Sequence, residues 1–134
     1  MEDIKMQEVY DFLKKSGTYY LATVDGDKPR VRPFGTIDLY DGKLFIQTGK
    51  KKDVAKQIEK NPKIEISACF DNGWIRIEAT AVEGDIKAQE HMLESYPNLK
   101  GMYTVGDGNT VVYYMKDATA TINSFASEPK VIKF

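Results

Sequence analysis

The sequence predicts a mainly β protein in which antiparallel strands form a closed or nearly closed barrel and the helices lie at its periphery. Two observations predict this fold class. Segments of β-type composition recur along most of the 134 residues, and Asp-Gly or Asn-Gly dipeptides separate several of them. Helical patterns are confined to a few segments between groups of strands. We favour a barrel of six or seven strands over an open sheet, because closure removes strand edges that would need protection.

Three segments show the spacing of amphipathic helices. They are residues 3–15, 53–60 and 86–95. In the first, apolar side chains from Ile4 onward recur at helical spacing, and Ser16-Gly17 supplies a stop. The second is expected to begin with Asp53 as its N-cap and to end at Pro62. The third is expected to end before Pro97.

The remaining patterned segments have the composition of strands. They are residues 18–24, 30–38, 43–48, 63–70, 74–83, 110–116 and 118–125. Asp25-Gly26, Asp41-Gly42 and Asn72-Gly73 each fall between two of them, and such dipeptides suit the positive φ angles of tight hairpin turns. We therefore expect largely sequential antiparallel pairing.

Two of these strands carry apolar residues on both faces, at residues 44–46 and 111–115. Part of their outer surface should therefore be covered. A second subunit is a natural cover, because homodimers bury faces that are more apolar than ordinary surface. Burial under the chain's own helices is the alternative.

Composition limits the classes of function. The chain is expected to form a single domain, residues 1–134, with one core. Nineteen basic and twenty acidic side chains give a formal charge of -1, which argues against nucleic acid or an anionic membrane as the main partner. Cys69 is the only cysteine, so no internal disulfide can form, and we expect this residue to be buried. No signal sequence or membrane span is recognised, which predicts a soluble cytoplasmic protein.

The lysine run at Lys50, Lys51 and Lys52 immediately precedes the second predicted helix. A helix N-terminus already carries partial positive charge, so three cations there are placed unfavourably unless an anion lies between them. Phosphate is bound at helix N-termini for this reason. The alternative is a solvated run of charges with no ligand.

Two further groups of residues extend this candidate anion site. A hairpin through Asp41-Gly42 would bring Arg30, Arg32, Pro33 and Phe34 beside Gln47, Thr48 and the lysines. Trp74 and Arg76 share one face of a later strand. The arginines could instead be solvent-facing charges at a strand edge, and Trp74 could be a packing residue.

Common catalytic and metal-binding motifs do not occur in the sequence. The run from Gly49 to Lys52 lacks the other elements of a P-loop, and Gly106-Asp107-Gly108 lacks the third glycine of a dinucleotide fingerprint. His91 and Cys69 form no ligand cluster, so no metal site is predicted and His91 is expected to be a surface or packing residue. No serine lies in a G-x-S-x-G context. Covalent catalysis is therefore not supported.

The order of these elements resembles the pyridoxamine 5'-phosphate oxidase-like family of FMN-binding split barrels, in particular its short members related to nitroimidazole resistance. The resemblance covers nearly the whole chain. It is carried by the first helix, the strand ending at Asp25-Gly26, and the segments VRPFG, TGKKKDVAKQIEKNPKIEI and WIRIEATAVE. It implies a six-stranded antiparallel split β-barrel with peripheral helices, and a homodimer with two FMN sites between the subunits.

The resemblance also implies roles for individual residues. Arg32, Pro33 and Phe34 would run along the isoalloxazine ring, while Thr48, Lys51 and Lys52 would hold the phosphate. The remaining cofactor contacts would be Gln47 and Arg30 at the ring or ribityl chain, and Trp74 and Arg76 at the flavin of the partner subunit. The chain is shorter than the true oxidase, has Lys50-Lys51-Lys52-Asp53 in place of its serine-arginine-lysine motif, and lacks its C-terminal substrate-binding arginine and histidine. Oxidation of vitamin B6 is therefore not expected.

These features together predict an FMN-dependent oxidoreductase, of flavin- or nitro-compound-reductase type, that acts on a small organic acceptor. NAD(P)H is the expected electron donor, and no separate catalytic acid or base is assigned because the flavin would carry out the chemistry. Two alternatives stay open at this point. One is a flavin-binding sensor or carrier without turnover, and the other is a barrel that binds a different anionic ligand through the same lysines.

Overall fold

A computed structural model describes the backbone of residues 2–134 and the side chains from Lys5 onward, so the predicted packing of Ile4 lies outside the described residues. The helices are α1 (Glu2–Ser16), α2 (Asp53–Lys60) and α3 (Ile86–Ser95), and a 3₁₀ helix spans Pro97–Gly101. The strands are β1 (Tyr19–Asp25), β2 (Lys28–Phe34), β3 (Asp38–Tyr40), β4 (Lys43–Gly49), β5 (Lys63–Phe70), β6 (Gly73–Glu83), β7 (Thr110–Ser124) and β8 (Lys130–Lys133). The predicted fold class, mainly β with peripheral helices, is confirmed.

The core is built from strand residues that point to the inside of the barrel. In β6 the inward positions are alternate residues, among them Ile75 and Ile77, and both side chains are essentially buried. Helix α1 packs against this core through Val9 and Leu13. Complete burial of an aliphatic side chain of this size contributes about 1.5–3 kcal/mol. The inward-facing alternate residues of the strands and the apolar face of α1 therefore form one core.

All eight strands belong to one sheet with the order β2-β1-β5-β6-β7-β4-β3, and β8 pairs with β7. Every pairing in the sheet is antiparallel. Six of the strands contain seven or more residues, and they match the six-stranded barrel that the sequence predicts. The two additional strands, β3 and β8, are short, with three and four residues.

The barrel is split between β2 and β4, which do not lie next to each other in the sheet order. The prediction that a hairpin joins these two strands was wrong, because β2 pairs with β1 and the Asp41-Gly42 turn connects β3 to β4. The segment that follows β2 nevertheless contacts β4 across the split. The backbone N–H of Gln47 donates to the hydroxyl of Thr36 at 3.1 Å. The hydroxyl of Tyr19, which is fully buried, donates to the carbonyl of Thr36.

Two predicted strand boundaries differ from the structure. The segment 30–38 is not one strand, because strand structure stops after Phe34 and resumes at Asp38. The segments 110–116 and 118–125 form the single strand β7, which pairs with β6 on both sides of an irregularity. Asp117 adopts a φ of 51° within β7. The sequence around this residue therefore looks like the end of one strand and the start of another, and only the pairing with β6 shows that the strand continues.

The tight turns lie close to their predicted positions. Asp41 and Gly42 both have positive φ angles, as predicted for a two-residue hairpin. In the β5–β6 hairpin the turn residues are Asp71 and Asn72, one residue earlier than expected, and Gly73 begins β6.

The chain's own helix covers the outer face of β4 and β7. Phe45 and Val112 pack against Ala88 and Met92 of α3. The alternative of burial under a helix of the same chain therefore holds for these strands, and a second subunit is not needed there. Cys69 is exposed rather than buried, because it points outward from β5 while its neighbour Ala68 points to the core.

Candidate functional site

A cavity of about 230 Å³ lies in the split, where residues that follow β2 face the end of β4. We call it the split cavity. Its lining residues are Arg32, Pro33, Phe34, Gly35, Thr36, Gln47, Thr48, Lys52, Val54, Leu99, Met102 and Tyr103. Six of them are among the residues for which the sequence predicts a flavin contact. The split, rather than a hairpin, thus brings β2, β4 and the start of α2 together.

Arg32 lies at the edge of the split cavity and is held by neutral acceptors. Its guanidinium donates to the carbonyl of Leu21 at 3.2 Å, to the hydroxyl of Thr23 at 2.7 Å and to Oε1 of Gln57 at 2.7 Å. Among the described residues no carboxylate forms an ion pair with it. Partial burial lowers the pKa of Arg32, and the nearby charge of Asp53 opposes this effect. A cation that is partly withdrawn from water without a counter-ion favours the binding of an anion.

The two lysines assigned to a phosphate lie at the exposed start of α2. Lys52 occupies the N-cap position with extended backbone, and no side chain caps the helix. Asp53, the predicted N-cap, is instead the first helical residue. In the described part of the chain Lys51 and Lys52 have no acidic partner, whereas Lys50 lies 3.4 Å from Glu83. An uncapped helix N-terminus beside two unpaired lysines provides both backbone donors and charge for a phosphate.

A loop from a distant part of the sequence holds the lysine run in place. The N–H of Lys50 donates to the carbonyl of Asn109 at 2.7 Å, and the N–H of Lys51 donates to Oδ1 of Asn109 at 3.0 Å. The carboxylate of Asp107 in turn accepts three backbone N–H groups of its own loop, including that of Asn109 at 2.7 Å. These hydrogen bonds, led by that of Thr110, hold the pKa of Asp107 well below its usual range. The sequence analysis did not identify Asn109, since only the tertiary contact reveals its role.

The 3₁₀ helix and the residues after it form another wall of the split cavity that the sequence analysis missed. This wall contains Leu99, Met102 and Tyr103. Met102 is 73% exposed, although it is a large apolar side chain, whereas Tyr103 is buried. A Cβ atom on Gly49 would lie 3.1 Å from the ring of Tyr103, so the backbone of β4 approaches this wall closely. The segment lacks helical or strand periodicity, and no sequence signal indicates that it contacts the site.

A larger groove of about 960 Å³ opens beside the split cavity, between the β1–β2 hairpin and α2. We call it the basic groove. Its charged lining residues are Arg30, Arg32, Lys52, Lys56, Lys60, Asp25 and Asp53. Arg32, Lys52 and Val54 line both spaces, so the two are adjacent. Cationic side chains outnumber carboxylates in this groove, although the whole chain carries a formal charge of -1.

Four of the predicted site residues do not line the split cavity: Lys51, which precedes Lys52 at the start of α2, and Arg30, Trp74 and Arg76. Arg30 lines the basic groove, where its Nε lies 3.0 Å from the carboxylate of Asp25. Trp74 and Arg76 lie on the outer face of β6, where they line a separate depression. Trp74 packs against the ring of Phe125, with 5.2 Å between the centroids. The predicted contact of Trp74 and Arg76 with a flavin therefore requires a second subunit, and it stays a prediction.

His91 packs at the junction of α3 and β3, away from the split cavity. Its Nδ1 lies 2.6 Å from the buried carboxylate of Asp38, which also accepts a hydrogen bond from Ser95 at 2.9 Å. The ring of Tyr40 stacks on the imidazole, with 4.6 Å between the centroids. This network joins the helix to the strand.

The described residues contain neither a cluster of metal ligands nor a helix that could span a membrane. No group of three or more His, Cys, Asp or Glu side chains in this part of the chain could hold a metal ion. None of the described helices is long and apolar enough to cross a membrane.

The chain is similar in sequence and in fold to proteins of one known family. Residues 6–95 match the family model described as pyridoxamine 5'-phosphate oxidase. The crystal structure of a NimC/NimA family protein from Clostridium acetobutylicum is 40% identical in sequence and superimposes with a TM-score of 0.95. That match covers 99% of this chain and 94% of the clostridial protein. Among curated proteins, none matches the chain.

More distant structures share the fold. A FAD-binding protein from Mesorhizobium loti superimposes with a TM-score of 0.59 at 13% identity, covering 88% of this chain and 94% of that one. A heme binding protein from Mycobacterium smegmatis superimposes with a TM-score of 0.74 at 12% identity, covering 96% of this chain and 57% of that one. At these identities the comparison establishes a common fold, and the two proteins use it for different ligands.

Proposed function

The chain belongs to the pyridoxamine 5'-phosphate oxidase family, and from this premise we propose that it is an FMN-binding oxidoreductase that acts on a small organic acceptor. The activity would be of flavin- or nitro-compound-reductase type. The single observation that carries the proposal is the split cavity, where an apolar slot ends at Arg32, Lys52 and the uncapped start of α2.

The phosphate of FMN would lie at the start of α2. Lys51 and Lys52 supply charge, the first turn of the helix supplies backbone N–H donors, and Thr48 at the end of β4 supplies a hydroxyl. The guanidinium of Arg32 lies on this side of the cavity, beside Gln57 of α2. We therefore extend the role of Arg32 from the ring, as the resemblance implies, to the phosphate end of the cofactor.

The isoalloxazine ring would lie against the slot formed by Pro33, Phe34 and the wall that contains Met102. These apolar side chains would exclude water from one part of the ring, while Gln47 and the backbone that follows Phe34 provide polar groups for its heteroatoms. When bound, the flavin supplies the redox chemistry, and the chain's residues bind and orient it. The cavity of about 230 Å³ is below the usual range for a ligand site, about 300–1,000 Å³. One chain therefore provides only part of the site.

A homodimer would complete this site. The outer face of the sheet carries exposed apolar side chains on β1 and β2, among them Tyr20 and Val31. Phe125, which packs beside Trp74, is 93% exposed. Burial of this face against a second copy would remove that apolar surface from water and would place Trp74 and Arg76 in the partner's site. Such a dimer predicts a hydrodynamic mass near twice the 15.2 kDa of the chain.

A flavin carrier or sensor without turnover is the second candidate. One observation favours it: the described residues that line the split cavity include no carboxylate and no histidine, the side chains that most often act as general acid or base. Steady NAD(P)H-dependent reduction of an acceptor by the FMN-loaded protein distinguishes an enzyme from a carrier. The carrier would bind FMN and show no turnover.

Substitution of Lys51 and Lys52 by alanine tests the phosphate assignment. A charge-assisted hydrogen bond contributes about 1.5 kcal/mol or more, so the double variant should bind FMN at least about a hundredfold more weakly. Riboflavin lacks the phosphate, and its affinity should change less than about threefold if only the phosphate contacts are lost. The matched control replaces Lys87 and Lys100, two exposed lysines that do not line the cavity. Equal losses for FMN and riboflavin would contradict the phosphate assignment.

A further inference from the structure

The basic groove extends the candidate site beyond the position that a flavin phosphate would occupy. It runs from the residues shared with the split cavity, Arg32 and Lys52, along α2 to Lys60 and Asn61. The volume of the groove, about 960 Å³, is several times that of the split cavity. Because the groove shares Arg32 and Lys52 with the split cavity, a ligand held at that end of the cavity would lie next to the groove.

The lysines of the groove form a stripe along one face of α2. Lys52, Lys56 and Lys60 are spaced four residues apart and all line the groove. At about 1.5 Å of rise per residue, this stripe extends over about 12 Å. In the described residues none of the three has an ion-pair partner, whereas Arg30 on the opposite wall is already paired with Asp25. Unpaired like charges in a row repel each other, and anions along the groove would relieve this repulsion.

A single phosphate group cannot contact both ends of the stripe. A ligand that contacts several of these lysines at once must therefore carry more than one anionic group, as the diphosphate of a nucleoside diphosphate does. The groove also offers surfaces for such a nucleoside. Val24 and Val54 provide apolar contact, and the side chains of Gln57 and Asn61 provide amide groups.

We propose that the basic groove binds the adenosine diphosphate portion of a dinucleotide. Two sources would present this chemistry. FAD would place its flavin in the split cavity and its adenosine diphosphate in the groove, whereas NAD(P)H would occupy the groove beside a bound FMN. The position of the flavin rests on the proposed function, but the binding of adenosine diphosphate in the groove does not.

Titration of the flavin-free protein with ADP tests the groove directly. The groove variant is Lys56→Gln/Lys60→Gln, and the matched control is Lys87→Gln/Lys100→Gln, which has the same net charge. ADP should bind the wild type and the control, and it should bind the groove variant about tenfold more weakly, since each solvent-exposed ion pair contributes a factor of a few. FMN should bind all three proteins with equal affinity, because Lys56 and Lys60 do not line the split cavity.

The two sources are distinguished by the flavin-loaded protein. If FAD is the source, FAD should bind more tightly than FMN, and this advantage should disappear in the groove variant. If NAD(P)H is the source, the FMN-loaded protein should still bind ADP and NADPH, and both should weaken in the groove variant. ADP affinity that is absent, or equal in the groove variant and the control, would overturn the proposal.

Two further outcomes separate this inference from others. A short single-stranded oligonucleotide that binds the wild type more tightly than ADP, and loses affinity in the groove variant, would replace the dinucleotide with a nucleic acid and overturn the proposal. Groove-dependent ADP binding by a protein that binds neither FMN nor riboflavin would support the groove and contradict the proposed flavin function.

Discussion

Replacement of Gln57 by glutamate is expected to stabilise the folded protein and to weaken its binding of FMN. Oε1 of Gln57 accepts hydrogen bonds from Arg32, at 2.7 Å, and from the hydroxyl of Thr23. Glutamate has the same length and keeps the oxygen that accepts both hydrogen bonds, so the geometry is retained. The change converts a neutral acceptor into a carboxylate that faces an unpaired guanidinium.

The structure sets the size of both effects. A hydrogen bond between neutral groups contributes about 0.5–1.5 kcal/mol, and one between a charged pair contributes about 1.5–3 kcal/mol. Because Arg32 is only partly buried, solvent screening reduces the gain, and we expect about 1 kcal/mol of added stability. This corresponds to an increase in Tm of about 4 °C for a chain of this size. Loss of one charge-assisted contact to the phosphate should weaken FMN about tenfold.

The assay compares thermal unfolding with titrations of FMN and riboflavin. Asn72→Asp, in the β5–β6 turn, serves as the control because it changes the net charge equally at a position outside both the split cavity and the basic groove. Gln57→Leu, which removes the acceptor, should lower the Tm. A more stable Gln57→Glu protein with unchanged FMN affinity would refute the assignment of Arg32 to the phosphate. A less stable one would refute the hydrogen-bond network itself.

Two further predictions concern alkaline stability and the loop that holds the lysines. Burial, followed by the nearby charge of Glu83, raises the pKa of Tyr113 to about 12. The folded state therefore retains a proton that the unfolded state releases near pH 10, so stability should fall between about pH 10 and 12. Tyr113→Phe should reduce this slope in urea unfolding at pH 9 and 11, and an unchanged slope would contradict the prediction. Asn109→Ala removes the acceptor for the N–H of Lys51 and should weaken FMN about fivefold, with riboflavin unaffected. Equal losses for the two ligands would indicate that Asn109 only stabilises the fold.

Local patterns in the sequence predicted most of the individual elements. Helix α3 and strand β5 have the predicted bounds, and so does α2. Their signals are short-range: apolar spacing within one helix or strand, and residues such as Pro62 and Pro97 that stop a helix. The Asp53 N-cap prediction failed because the capping position of α2 holds Lys52, whose side chain makes no capping hydrogen bond. This absence of a cap is one of the features that favour an anion at the site.

The candidate site was predicted in part. The Arg32 to Phe34 segment, the end of β4 and the lysine run were identified from residue type, and the structure brings the first two together with Lys52 in the split cavity. The prediction that a hairpin brings these segments together was wrong, because they come together across the split. Leu99, Met102 and Asn109 were missed, since each contributes through a contact with a segment that is remote in sequence.

Residue types and spacing within short segments were sufficient to predict the class of fold and the chemical character of the site, and the resemblance of several segments indicated the family. Which strands pair became evident only from the three-dimensional fold. It showed that β7 is one strand because β6 pairs with both of its halves, and that α3 covers the outer face of β4 and β7. It also showed that Arg32 faces Gln57 without a carboxylate partner and that the groove beyond it is lined by one face of α2. Strand pairing and charge compensation depend on residues that are far apart in the chain, so no local sequence pattern predicts which of them are in contact.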